Sequence, residues 1–160
     1  MKTFWLALAM AGSLWGKTAK LDGREVFYEA HGSGPKTLVL IHGWTCDHTF
    51  WRDQIPALAK RHRVLALDLP GHGRSAPADE YTMALFARAA EAVMSAEKAE
   101  RAILMGHSMG GAVILTFSRL FPERLQGVVL VDAFLLEASA AGPGANFHER
   151  FAGAGGMEAR

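Results

Sequence analysis

The chain has 160 residues, half of them apolar and 21% charged, which suits one folded domain and excludes a disordered segment. Seventeen Lys and Arg against sixteen Asp and Glu leave a formal charge of +1, without the basic surplus of a nucleic-acid binder. Its one cysteine, Cys46, excludes an intramolecular disulfide framework and a cysteine-based zinc cluster.

Met1-Lys2-Thr3 is a short positive start, Phe4 to Ala11 is an unbroken apolar run, and small residues follow at Gly12, Ser13 and Gly16. This order predicts a signal peptide over 1–16 and a secreted or periplasmic protein. The competing expectation is an N-terminal strand or helix of a cytoplasmic domain. The run cannot form a stable membrane span, which needs about 20 apolar residues.

Residues 17–135 carry the patterns of a core domain. Glu25 to Ala30 alternates polar and apolar residues, as an exposed strand does. His31-Gly32-Ser33-Gly34-Pro35 is a turn cluster. Four nearly all-apolar runs follow, Thr37–Ile41, Val64–Leu67, Ala102–Met105 and Val128–Val131, which predict strands covered on both faces, the habit of a parallel sheet. Met83, Phe86, Ala90, Val93 and Met94 recur at helical spacing behind Thr82, a predicted N-cap. A second helix is predicted from Met109 to Phe121, stopped by Pro122. Alternating strands and helices predict an α/β domain with a doubly wound, mostly parallel sheet. Residues 136–160, rich in Ala and Gly, read as the start of a lid or a truncated tail.

Gly106-His107-Ser108-Met109-Gly110 joins the third apolar run to the second helix. A Gly-x-Ser-x-Gly string between strand and helix lifts its serine on a sharp turn, where the missing Cβ atoms of Gly106 and Gly110 permit close chain approach. Ser108 is therefore the candidate nucleophile, and the N-terminus of the following helix faces any oxyanion formed there. Two backbone N–H groups are needed for that oxyanion. Met109 supplies one, and Trp44, in the His42-Gly43-Trp44 loop, the other. Gly43 lets that loop turn, and His42 reads as its structural support. Asp68-Leu69-Pro70-Gly71-His72-Gly73-Arg74-Ser75 lacks the Gly-Lys-Ser/Thr of a phosphate loop and reads as a rigid turn. His107 reads as packing or hydrogen-bonding support.

Together His42-Gly43-Trp44, the Asp68–Ser75 stretch, Gly106-His107-Ser108-Met109-Gly110-Gly111 and Phe121-Pro122-Glu123-Arg124 ahead of Val128–Asp132 resemble the α/β-hydrolase superfamily over residues 20 to 135. The resemblance is to the esterase, carbon–carbon-bond hydrolase and perhydrolase branch. Serine at 108, where dehalogenases and epoxide hydrolases of the fold place aspartate, argues against those activities. The resemblance implies a serine hydrolase of esters or related carbonyl compounds, with no metal and no organic cofactor. The family orders its triad as nucleophile, acid, histidine. After Ser108 the one histidine is His148, in the Ala/Gly-rich tail, and Asp132 stands where a minority of the family places its acid. The preferred role of Asp132 is structural. These features predict the N-terminal part of a longer enzyme, with Val128–Val131 as an apolar edge strand. The isolated chain is expected to be poorly soluble and nearly inactive towards esters. The alternative is a non-catalytic binding or scaffold protein that keeps the turn and lacks the base.

Overall fold

Residues 16–133 are described by the structure, a computed structural model, and the four apolar runs within them are strands. The expected signal peptide lies outside these residues except for Gly16, as does all of 136–160. In chain order the elements are β1 (Lys17–Leu21), β2 (Arg24–His31), β3 (Thr37–Ile41), a 3-10 turn (His48–Trp51), α1 (Ile55–Leu58) and β4 (Arg63–Leu67). Then come α2 (Met83–Ala96), β5 (Ala102–His107), α3 (Met109–Leu120), a 3-10 turn (Pro122–Arg124) and β6 (Leu125–Val131).

The sheet order is β1-β2-β4-β3-β5-β6. β1 and β2 are antiparallel to their neighbours, while β4, β3, β5 and β6 run parallel. Alternation along β3 explains its unbroken apolar sequence. Val39 and Ile41 pack with α2 and α3, whereas Leu38 and Leu40 pack with Trp51 and Ile55 on the opposite face. Helices thus cover both faces, the doubly wound arrangement the sequence implies.

Local signals set the helix ends. Thr82 caps α2 by accepting the Leu85 N–H on its hydroxyl at 3.0 Å. α3 stops at Leu120, because Phe121 precedes Pro122 and leaves the helical region at φ −136°, ψ 54°.

One expectation needs correction, and one strand was not predicted. The strand around Glu25–Ala30 is not an exposed one: Val26, Phe27 and Tyr28 are all buried, since β2 lies between β1 and β4 and is covered on both faces. The polar Lys17-Thr18-Ala19-Lys20, for which the sequence pattern predicts no element, forms most of β1, turning into β2 through Asp22 and Gly23, both at positive φ. Lys17 and Lys20 are exposed and guard that sheet edge. The opposite edge carries no charge. Val128 to Val131 of β6 are 36–45% exposed, and no strand among the described residues pairs with their outer side.

Glu97, just past α2, ties the antiparallel end together. Its carboxylate accepts from Lys17 Nζ at 2.8 Å, from the Tyr28 hydroxyl at 2.7 Å and from the Arg63 guanidinium. Burial pushes the Glu97 carboxyl up, but these donors outweigh it and hold it below the usual glutamate range. Tyr28 moves upward, through burial and through the carboxylate it donates to. A carboxyl depressed in the folded state stabilises fully above the ordinary glutamate range, and that stability drains away as pH falls through the lowered value. Glu97→Gln is expected to cost about 2 kcal/mol at neutral pH and to flatten the acid limb of a urea-unfolding series.

Candidate active site

Four short segments meet at the carboxyl edge of the parallel strands. Ser108 connects β5 to α3 with φ 51° and ψ −115°, a backbone that side chains rarely adopt and that costs on the order of 1–3 kcal/mol. Close packing holds it there. A Cβ on Gly106 would lie 2.6 Å from the Gly110 carbonyl, and one on Gly110 would lie 2.6 Å from the Ile41 carbonyl oxygen. The Ser108 N–H donates to the Val131 carbonyl at 3.3 Å, and the Ser108 carbonyl accepts from the Gly111 N–H at 3.0 Å. The ends of β3, β5 and β6 and the first turn of α3 therefore converge on one half-buried serine.

The loop after β3 packs directly on this turn. A Cβ on Gly43 would sit 3.2 Å from Ser108 Cβ and 2.9 Å from His107 Nδ1. Trp44 follows, with its indole edge-on to the His72 ring at 5.2 Å between centroids. Met109 is buried at the start of α3, where first-turn amides have no partner within the helix. The His107 ring stacks on Phe50 at 4.3 Å, and its Nδ1 is buried without a hydrogen bond.

His42 is fully buried with both ring nitrogens committed: Nδ1–H donates to the Gly43 carbonyl at 2.7 Å, and Nε2 accepts the Leu69 N–H at 3.0 Å. Burial lowers its pKa to about 4, so the ring is neutral at pH 7 and braces the loop. The sign follows directly. Below its ordinary value of 6.5 the unfolded ring takes up a proton that the folded ring refuses, so stability falls from there towards pH 4. The loss approaches about 3 kcal/mol. Guanidinium midpoints between pH 7 and pH 4 measure it, and His42→Gln is expected to show a shallower slope.

Asp68, the first residue of the predicted rigid turn, is a polar centre whose role the motif reading did not assign. It is fully buried at the end of β4. Its Oδ1 accepts the His48 N–H at 2.6 Å and His48 Nδ1–H at 2.8 Å, and its Oδ2 accepts the Arg74 N–H at 2.8 Å. Its carbonyl accepts from the Ser75 hydroxyl at 2.6 Å, and the Ser75 hydroxyl oxygen in turn accepts the Phe27 N–H at 2.8 Å. Gly73, at φ 51°, passes so close that a Cβ there would lie 2.3 Å from the carboxylate. Asp47, His48 and Asp68 bring ligand-type atoms within 4.8 Å of one another. They do not suit a metal ion: both Asp68 oxygens are taken, and Asp47 Oδ1 already accepts the Thr49 N–H and hydroxyl. The sequence marked the Asp68–Ser75 stretch as a rigid turn and left the role of its aspartate unassigned.

Asp132 is exposed at φ 44°, one residue beyond the Val131 carbonyl that receives the Ser108 N–H. His148 lies outside the described residues. Among the described residues no histidine is hydrogen-bonded to the Ser108 side chain. A cavity of about 320 Å³, lined in part by Trp44, Cys46, His72 and Tyr81, opens between the loops after β3 and β4. No helix among the described residues is long and apolar enough to cross a membrane.

Comparison with known proteins places this geometry. A family model described as the alpha/beta hydrolase fold matches residues 36–153. The dihydrolipoyllysine-residue acetyltransferase component of an acetoin cleaving system from Pseudomonas putida is 40% identical over 120 residues, 71% of this chain and 31% of that protein. A pimeloyl-[acyl-carrier protein] methyl ester esterase from Edwardsiella ictaluri is 34% identical over 106 residues, 66% of this chain and 40% of the esterase. Among solved structures, Est816, described as an N-acyl homoserine lactone degrading enzyme, superposes with a TM-score of 0.70 at 29% identity, covering 73% of this chain and 45% of Est816. The epoxide hydrolase CorEH gives a TM-score of 0.73 at 29% identity, over 81% of this chain and 46% of CorEH. The chain spans 31% to 46% of the length of these proteins.

Proposed function

This chain belongs to the alpha/beta hydrolase fold family, and we propose that it supplies the nucleophile and the oxyanion-binding backbone of a serine hydrolase acting on a carboxylic ester or related carbonyl compound. The observation that carries the proposal is Ser108 held at positive φ between β5 and α3, with Gly43 packed against its Cβ. In this mechanism Ser108 Oγ attacks the carbonyl carbon while a histidine outside residues 16–133 takes the hydroxyl proton. The carbonyl electron pair moves onto oxygen, where the N–H groups of Trp44 and Met109 receive it; losing one such donor typically costs about 10²–10³ in rate. Collapse expels the alcohol, which leaves with the proton from the histidine. Water then attacks the acyl-serine and restores the enzyme. The acid that orients that histidine is assigned to no described residue, since the preferred role of Asp132 is structural.

An ester is the first substrate class to test, in keeping with the esterase relatives, and a carbon–carbon bond next to a carbonyl is the second. No cofactor enters this chemistry. Export through the N-terminal leader belongs to the same proposal, and secreted protein beginning at Met1 would contradict it. The test is pre-steady-state hydrolysis of a short-chain nitrophenyl ester by full-length protein. A burst of nitrophenol equal to the enzyme concentration supports the acyl-enzyme route. No turnover of any ester, with retained folding, would favour the alternative of a non-catalytic binding or scaffold protein.

A further inference from the structure

The two ends of the parallel strands differ in charge. The segments that lead into β4, β3, β5 and β6 hold six exposed basic side chains, Lys36, Lys60, Arg61, Lys98, Arg101 and Arg119, against two exposed acids, Glu100 and Glu123. Among the described residues, the loops that leave these strands carry Asp47, Asp68, Asp79, Glu80 and Asp132 against Arg74. The formal charge of +1 hides this division, because the two ends offset each other. Direct contacts join the basic segments into one surface. The Arg63 N–H donates to the Lys36 carbonyl at 2.9 Å, and a Cβ on Gly34 would lie 2.0 Å from the Arg61 carbonyl oxygen. The Arg63 guanidinium donates to the Glu97 carbonyl at 2.5 Å, Arg101 to the Leu125 carbonyl at 2.9 Å and Arg124 to the Ala99 carbonyl at 3.2 Å. By contrast, the side chains of Lys36, Lys60, Arg61, Lys98 and Arg119 make no hydrogen bond or ion pair among the described residues. Leu120, 47% exposed, stands next to Arg119 at the end of α3. An apolar side chain among cations suits a surface of anionic headgroups over acyl chains, which a nucleic-acid backbone does not offer.

We propose that this amino edge of the sheet docks on an anionic phospholipid bilayer, its basic side chains meeting the headgroups and Leu120 entering the interface. Ser108, beyond the six residues of β5 at about 3.3 Å each, then faces water from the far edge. The docking does not depend on Ser108 being a nucleophile. Co-flotation of the full-length protein with vesicles is the test, phosphatidylglycerol mixed into phosphatidylcholine against phosphatidylcholine alone. Binding is expected to the anionic vesicles only, fading as salt rises from about 0.05 to 0.5 M. Each Lys or Arg near such a surface contributes about fivefold in affinity, so Lys60→Gln with Arg61→Gln is expected to weaken partitioning about 20-fold. Removing two charges beside the β1–β2 turn, by Lys20→Gln with Arg88→Gln, is expected to leave it nearly unchanged, since Arg88 pairs with Asp22 of that turn at 2.6 Å. All four side chains are exposed, and circular dichroism checks that the variants keep the fold. Equal binding to both vesicles, as insertion of the apolar run at 4–11 would give, contradicts the proposal. So do equal losses in the two double variants, no flotation of folded protein, or binding to duplex DNA in place of vesicles.

Discussion

Ser108→Ala in the full-length protein is expected to lower ester turnover by about 10⁴-fold or more while leaving KM nearly unchanged. It is also expected to abolish labelling by a fluorophosphonate. The size of the effect follows from the role. Without the hydroxyl no acyl-serine forms, and what remains is binding and oxyanion stabilisation acting on a bound water. The fold is expected to survive, because Ser108 is half-buried and its strained turn is held by backbone packing of Gly106, Gly110 and Gly43, which the substitution does not touch. Equal loss of kcat and of stability would place Ser108 among the structural residues.

Asp68→Ala is expected to be the most destabilising single change at the site, about 3–5 kcal/mol by guanidinium unfolding. The substitution strips three donors of their acceptor: the buried N–H and Nδ1–H of His48 and the part-buried N–H of Arg74. The two His48 donors are closed to water along with Asp68, which is fully buried. Asp68→Asn keeps one acceptor oxygen and turns an amide donor towards the other partners, so a smaller but still marked loss is expected. The effect reaches the site through the chain. His48 ends the loop that begins at Gly43, and the Leu69 N–H held by His42 follows Asp68 directly. A cost below about 1 kcal/mol for Asp68→Ala would mean that water or a rearranged loop replaces the carboxylate.

The parallel strands were legible because burial on both faces forces an unbroken apolar sequence, and Thr37–Ile41 matches β3 end to end. β1 was not legible. Only Ala19 and Leu21 face inward, and the apolar run before them dominates the pattern. β2 looked one-sided because Glu25 and Glu29 bracket its centre. Yet Phe27 is covered by Arg74 and the His48 ring on one face while Val26 and Tyr28 join the α2 cluster on the other. At the site, close backbone approach admits only glycine, and this made Gly43, Gly106 and Gly110 readable in order. The His48–Asp68 pair left no such mark. Its members are 20 residues apart, on two loops that meet only once β3 and β4 pair.

The most direct measurement is the position of a fluorophosphonate adduct in the full-length protein, read by mass spectrometry of its peptides. The serine-hydrolase proposal requires one adduct per chain, on Ser108, with none in Ser108→Ala. An adduct on another residue, or none on folded protein, would contradict it.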